Sequence, residues 1–189
     1  MSSLTRLSLI LLMLALPLAG ARADEYSDTV KVFQNAGESS EYFAKSYGYA
    51  VFPTIGKGGI GIGGAYGKGR VYAQGNYVGN ASMTQVTIGF QLGGQAYSQI
   101  IFFEDKRAFE EFTSGNFEFG AEASAVAITA GASARASTTG SSAGASGGKH
   151  DAKTASSGFR KGMAVFTVAK GGLMYEASIG GQKFSYTPK

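Results

Sequence analysis

The 189-residue chain carries 17 basic and 13 acidic residues, a formal net charge of +4, no cysteine and one histidine. The absence of cysteine excludes disulfides and thiolate ligands, and a lone histidine without clustered carboxylates leaves no set for a transition metal. The charge is too modest to argue for nucleic acid.

The chain opens "MSSLTRLSLILLMLALPLAGARADEY". Arg6 precedes an apolar run from Leu7 to Leu18, and Ala21-Arg22-Ala23 supplies an A-x-A site, the pattern of a secretory signal peptide. The run is shorter than the ~20 apolar residues of a membrane span. Cleavage after Ala23 is expected, leaving 24–189 as one domain, exported to the periplasm or cell envelope. Without cysteine the leader has no site for an N-terminal lipid. Arg6 and Arg22 are its only charges, so the mature chain carries +2 and the high pI comes partly from the leader.

From Asp24 to Ser46 the pattern is helical, with Tyr26, Val30 and Phe33 at i, i+4 and i+7 and acids near the start. This apolar stripe suits a helix packed on the core, and also one docked on a membrane. "ESSEYFAKS" continues as a second short helix before Gly48. Beyond it the period becomes two: Thr84, Val86, Ile88, Phe90 and Leu92 alternate with Met83, Gln85, Thr87, Gly89 and Gln91, a half-buried strand. "QAYSQIIFF", after Gly93-Gly94, reads as its hairpin partner. "EDKRAFEEFTSG" predicts a short helix capped by Glu104 or Asp105, with Phe109 and Phe112 on one face and Gly115 at its end. "FEFGAEASAVAITAGASARAS" returns to strand. From 133 to 157 the chain is almost wholly Gly, Ala, Ser and Thr, a composition that offsets little ordering entropy and predicts a flexible loop.

"GYAVFPTIGKGGIGIGGAYGKGRVY" (48–72) matches "GMAVFTVAKGGLMYEASIGGQKFSY" (162–186) in outline, so that Lys57 corresponds to Lys170. The repeat predicts two strand–turn–strand units packed as pseudo-symmetric halves of one sheet or barrel. The first copy holds a literal G-x-G-x-x-G at Gly59, Gly61 and Gly64. A dinucleotide fingerprint needs a following helix and an acid about 20 residues on. Here an aromatic, glycine-interrupted segment follows, and no acid occurs between Glu41 and Glu104. A nucleoside-triphosphate loop fails as well, with Ile62 where its first glycine belongs and Gly69 where it needs a hydroxyl. The glycines therefore read as bulges, bends and close backbone approaches in β-structure, across which rings such as Tyr66, Tyr72 and Tyr77 can lie.

That same acid-free stretch carries Lys45, Lys57, Lys68 and Arg70. Edge lysines discourage sheet-to-sheet association, and they also suit an anionic surface. At about 1 kcal/mol per charge near an acidic bilayer, four charges give only millimolar-grade binding, so a second signal is needed. Catalysis is not expected. His150 lies in the Gly/Ser-rich stretch, where a Ser–His pair would not be held rigidly, and Glu110 and Glu111 are neighbours on a helix and point apart.

The motifs "GYAVFPTIGKGGIGIGGAYGKGRVY", "TIGFQLGGQAYSQIIFF", "FTSGNFEFGAEASAVA" and "AKGGLMYEASIGG" together resemble the SYLF-domain family of lipid-binding modules, over most of the mature chain. The family's Gly-Pro-x-Gly-Arg is replaced by "AGASARAS", in which only Arg135 corresponds, and the Ser-rich loop is longer. The resemblance implies an anionic-phospholipid binder, with Lys57, Lys68, Arg70, Lys170 and Arg135 as lipid-binding candidates and no cofactor or metal. It implies actin binding only by analogy with fungal members.

The expected fold is α+β: a glycine-rich, mostly antiparallel β-sheet curled into a barrel or sandwich, with an N-terminal helical segment and a short mid-chain helix. The expected function is a non-enzymatic, exported module peripheral to an anionic phospholipid membrane, compatible with homo-oligomerisation through glycine-rich edges. The alternatives are a small outer-membrane β-barrel, suited by the leader and alternating strands, or an envelope protein–protein interaction domain.

Overall fold

In the computed structural model the described residues are 21–89, 94–121, 123–128, 158–170 and 178–189. The segment 1–20, the Ser-rich stretch 133–157, His150 and Arg135 lie outside them. Helix α1 (Ala21–Asn35) is followed by two single-turn helices, α2 (Gly37–Ser40) and α3 (Tyr42–Lys45). Phe33 is fully buried and Tyr26 and Val30 are half-buried, so the apolar stripe packs on the core. The Ser39 hydroxyl donates to the Phe33 carbonyl at 2.6 Å and fastens α2 under the end of α1.

Strand β1 (Gly48–Ala73) is followed by β2 (Asn76–Gly89), β3 (Gln95–Phe103), helix α4 (Lys106–Phe112), β4 (Phe117–Glu118), β5 (Val126–Ile128), β6 (Met163–Lys170) and β7 (Lys183–Pro188). They form one curled sheet in the order β4-β7-β2-β1-β3-β6-β5. Every pairing is antiparallel except β5 with β6. Asp105 caps α4, its carboxylate accepting from the Ala108 amide at 2.8 Å. Gly115 follows at φ +95°. The α+β architecture expected from sequence is the one observed.

β1 is continuous extended chain that doubles back on itself. Its first limb pairs with β3 from Gly48↔Phe103 to Lys57↔Gln95, and its second pairs with β2 from Gly61↔Gly89 to Ala73↔Asn76. The two limbs lie against each other. The Gln74 amide donates to the Tyr47 carbonyl at 2.9 Å at the open end, and Gly59 (φ +143°) and Gly61 (φ +76°) make the bend. A methyl on Gly67 would fall 2.6 Å from Ile55 Cγ1, and one on Gly69 2.7 Å from the Phe52 ring. Glycine therefore lets one limb close on the large inward side chains of the other. The first repeat unit is strand–turn–strand, as expected.

Three expectations are corrected. β3 is not the hairpin partner of β2, because the doubled β1 lies between them and takes one pairing edge from each. The second repeat unit does not close as a hairpin: β6 pairs with β3, while β7 pairs with β2 on the other side of the sheet. Nor are the copies pseudo-symmetric. Across β3, Ala50 and Val165 share Ile101 as register partner, so the copies are offset by one residue. With a side-chain period of two, that offset sends matched residues to opposite faces: Phe52 joins the inner core and its counterpart Phe166 the outer one.

The inner face buries Phe52, Ile55, Met83, Phe103 and Phe184 against Phe112 of α4. At its centre Gln99 and Gln182 exchange side-chain hydrogen bonds of 2.9 and 3.1 Å, and Gln182 Nε2 also donates to the Tyr97 hydroxyl at 3.2 Å. On the outer face Val51, Ile100, Phe102 and Phe166 are buried together with Phe33 of α1 and Tyr42 of α3, whose ring meets those of Phe102 and Phe166. These helices leave the tip half of the second β1 limb, and the β2 surface beside it, open.

Candidate functional site

The open surface is built by alternation. On the second limb of β1, Ala65, Gly67, Gly69 and Val71 are buried, so Gly64, Tyr66 and Lys68 face outward; on β2, Ala81, Met83 and Gln85 are buried, so Thr84 and Val86 face outward. Rows of register partners run across the strands: Ile62 with Ile88, Gly64 with Val86, Tyr66 with Thr84, and Lys68 with Ser82. β7 extends two of these rows with Lys183 beside Thr84 and Ser185 beside Ser82.

The apolar members of this surface are exposed. Ile60 at the hairpin tip is 81% exposed, Ile62 73%, Val86 76% and Tyr66 51%. The half-buried strand read from sequence is present, but at its described positions Val86 is on the solvent side and Gln85 on the core side, where its amide donates to the Gly180 carbonyl at 2.8 Å. Helix α1 stops short of this surface, so nothing among the described residues covers these side chains. Sequence reasoning missed this patch. The available signal was that Ile60 and Ile62 stand singly between glycines, which offer no side chains to bury them.

The basic candidates separate. Lys68 lies on the open outer face. Lys57 has the inner-face parity of Ile55 and sits half-buried on the first limb just behind the tip, where the limbs are so close that a methyl on Gly63 would lie 2.8 Å from the Gly58 carbonyl. Among the described residues neither lysine has a carboxylate within ion-pair distance. Arg70 is engaged elsewhere, its guanidinium 4.3 Å from the Tyr26 ring centre and 5.2 Å from that of Tyr77, which binds α1 to the sheet. Burial raises the Tyr26 phenol above its usual range, and the Arg70 charge acts in the opposite sense. Lys170 donates to Thr54 Oγ1 at 2.7 Å and lies 3.7 Å from Glu25, so it also fastens α1. The sequence-matched pair Lys57 and Lys170 thus stand in different surroundings.

Beside this face Tyr49 stacks on Tyr72 with ring centres 4.9 Å apart, and burial, followed by the neighbouring Tyr72, pushes the Tyr49 phenol up to about 12. Among the described residues no three His, Cys, Asp or Glu side chains cluster as a metal site, and no helix is long and apolar enough to cross a membrane. A cleft of about 300 Å³ opens between the two edges of the curled sheet, lined by Phe117 of β4, Val126 of β5 and Met163 of β6, with the exposed Arg160 and Lys161 also lining it.

The family model for Ysc84, described as Las17-binding protein actin regulator, matches residues 84–187. The chain belongs to this family. It is the SYLF-type family that the motifs resemble, and membership supports a lipid-binding or actin-regulatory module. Beta cell expansion factor A of Aeromonas veronii is 26% identical over 164 residues, which cover 82% of this chain and 51% of that protein. The chain thus spans about half the length of this relative. The doubled β1 strand lies before the residues matched by the family model.

Proposed function

We propose that the chain is a binding module that docks peripherally on anionic phospholipid membranes through the open face of the β1 hairpin and β2. The observation that carries this reading is the exposure of Ile60, Ile62, Tyr66 and Val86 with Lys68 on the same face and Lys57 just behind the tip on the opposite parity, in a stretch without an acid from Glu41 to Glu104. Apolar side chains rimmed by polar ones mark interaction surfaces, and lysines in an acid-free stretch of sequence select an anionic one. Arg70 and Lys170 are held by α1, and their part is to fix the scaffold.

The N-terminal leader pattern supports an exported protein meeting an envelope membrane from one side. A spanning β-barrel fits less well, because the N-terminal helices α1 and α3 pack on the outer side of β1, β3 and β6 where such a barrel presents lipid-facing side chains. A non-enzymatic role is supported by the single histidine and the absence of cysteine. The test is co-sedimentation of the detergent-free protein with neutral and phosphatidylglycerol-rich vesicles. Binding to the acidic vesicles alone supports the reading, and equal binding or none overturns it.

A further inference from the structure

We infer that the tip of the β1 hairpin is an insertion wedge: Ile60 and Ile62, with Val86 beside them, enter the acyl region of the bilayer while Tyr66 rests at the head-group level and Lys68 stays in the aqueous layer. The inference rests on the membrane reading above and specifies how the contact is made.

Three features carry it. The first is the order of chemistry along one face of one strand, which runs Ile62, Gly64, Tyr66, Lys68 outward from the tip. At about 3.4 Å per residue, Tyr66 stands roughly 14 Å and Lys68 roughly 20 Å behind Ile62. Interfacial segments bury their apolar side about 5–10 Å into the head-group boundary, and tyrosine prefers that boundary. An upright hairpin with its isoleucines in the acyl layer therefore sets Tyr66 near the head groups and Lys68 beyond them. The second is backbone satisfaction. Inserted strand edges are costly unless paired, and here the second limb pairs with β2 up to Gly61↔Gly89 while the two limbs lie against each other. The third is charge. Two lysines, neither with a carboxylate partner among the described residues, are too few to hold a protein on a bilayer, whereas each buried isoleucine is worth about tenfold or more in Kd. The wedge is the second signal that the lysines need.

The chain contains no tryptophan, so Ile60→Trp introduces a single indole reporter at the tip. Its emission is expected to shift to the blue on adding phosphatidylglycerol vesicles, with stronger quenching by acyl-labelled than by head-group-labelled lipids. Ile60→Ser/Ile62→Ser is expected to weaken vesicle binding at least tenfold with an unchanged thermal transition, since both side chains are already mostly in water. If acidic vesicles are bound but the indole emission stays unshifted and the double-serine variant binds like the parent, insertion is overturned and the peripheral reading stands. If the parent binds no vesicles, both fall. If the double-serine variant instead turns a dimer into a monomer in sedimentation velocity and leaves vesicle binding unchanged, the tip is a contact between copies of this chain and the wedge is overturned.

Discussion

Gly69→Ala tests whether the glycines of β1 serve shape. The added methyl would meet two carbons of the Phe52 ring at 2.7 Å and the Val51 carbonyl oxygen at 2.9 Å. Neither can give way easily. Phe52 is fully buried with its ring centre 5.6 Å from that of Phe184, and Val51 is backbone of the paired first limb. Overpacking of this kind costs about 1–3 kcal/mol, and the reduced freedom of the unfolded chain returns about 0.4–1 kcal/mol. A net loss of about 1–2 kcal/mol follows, which lowers Tm by about 2–8 °C for a domain of this size. Gly56→Ala is the control, because a methyl there meets nothing within 4 Å; it should be neutral or slightly stabilising. Differential scanning calorimetry and urea unfolding measure both. Adding Phe52→Leu to Gly69→Ala should cost less than the two changes summed, by about 0.5 kcal/mol or more. Equal stability of Gly69→Ala and Gly56→Ala would refute the close-approach reasoning.

Gln182→Leu should destabilise by about 2–4 kcal/mol in urea unfolding, because it strands both ends of the buried Gln99 amide; Gln99→Leu/Gln182→Leu should recover much of that loss, and strict additivity would contradict a paired network. Burial holds the Tyr97 phenol at about 12, with the Gln182 hydrogen bond acting the other way. The unfolded phenol loses its proton near pH 10 while the folded one keeps it, so stability falls as pH rises from 10 to 12, by a few kcal/mol at most, on the order of 3 kcal/mol. Tyr97→Phe should fall less steeply across that window, and identical pH profiles would refute the assignment. Asp105→Ala removes the cap of α4 and should cost about 1 kcal/mol, measured in the same unfolding assay.

What was legible in the sequence was local. The Tyr26, Val30, Phe33 stripe, the Asp105 cap and the strand–turn–strand of the first repeat all depend on neighbours in the chain. The rejection of a phosphate loop was legible too, since the acid and helix that loop needs would have been near in sequence. Pairing was not. A 26-residue strand that folds on itself takes both neighbours that β2 and β3 would otherwise find in each other, and nothing in their own residues records that competition. The matched "AVF" motifs also misled, because a one-residue register offset reverses every face while leaving the motif intact.

The site was half legible. Lys57 and Lys68 stood out as basic residues in an acid-free stretch. The contacts that Arg70 and Lys170 make with α1 could not be read, because their partners Tyr26 and Glu25 lie far away in sequence. The exposed apolar patch was hidden by a general expectation, that the apolar half of an alternating strand faces the core. On β2 the core takes Met83 and Gln85, and Val86 is left outside.

The most direct test of the membrane reading is the salt dependence of binding to phosphatidylglycerol-rich vesicles for the parent and for Lys57→Gln/Lys68→Gln. Two charges at about 1 kcal/mol each predict roughly twentyfold to thirtyfold weaker binding for the variant at low salt. The gap should narrow as salt screens the parent's charges. A variant that binds as tightly as the parent at every salt concentration would contradict the account.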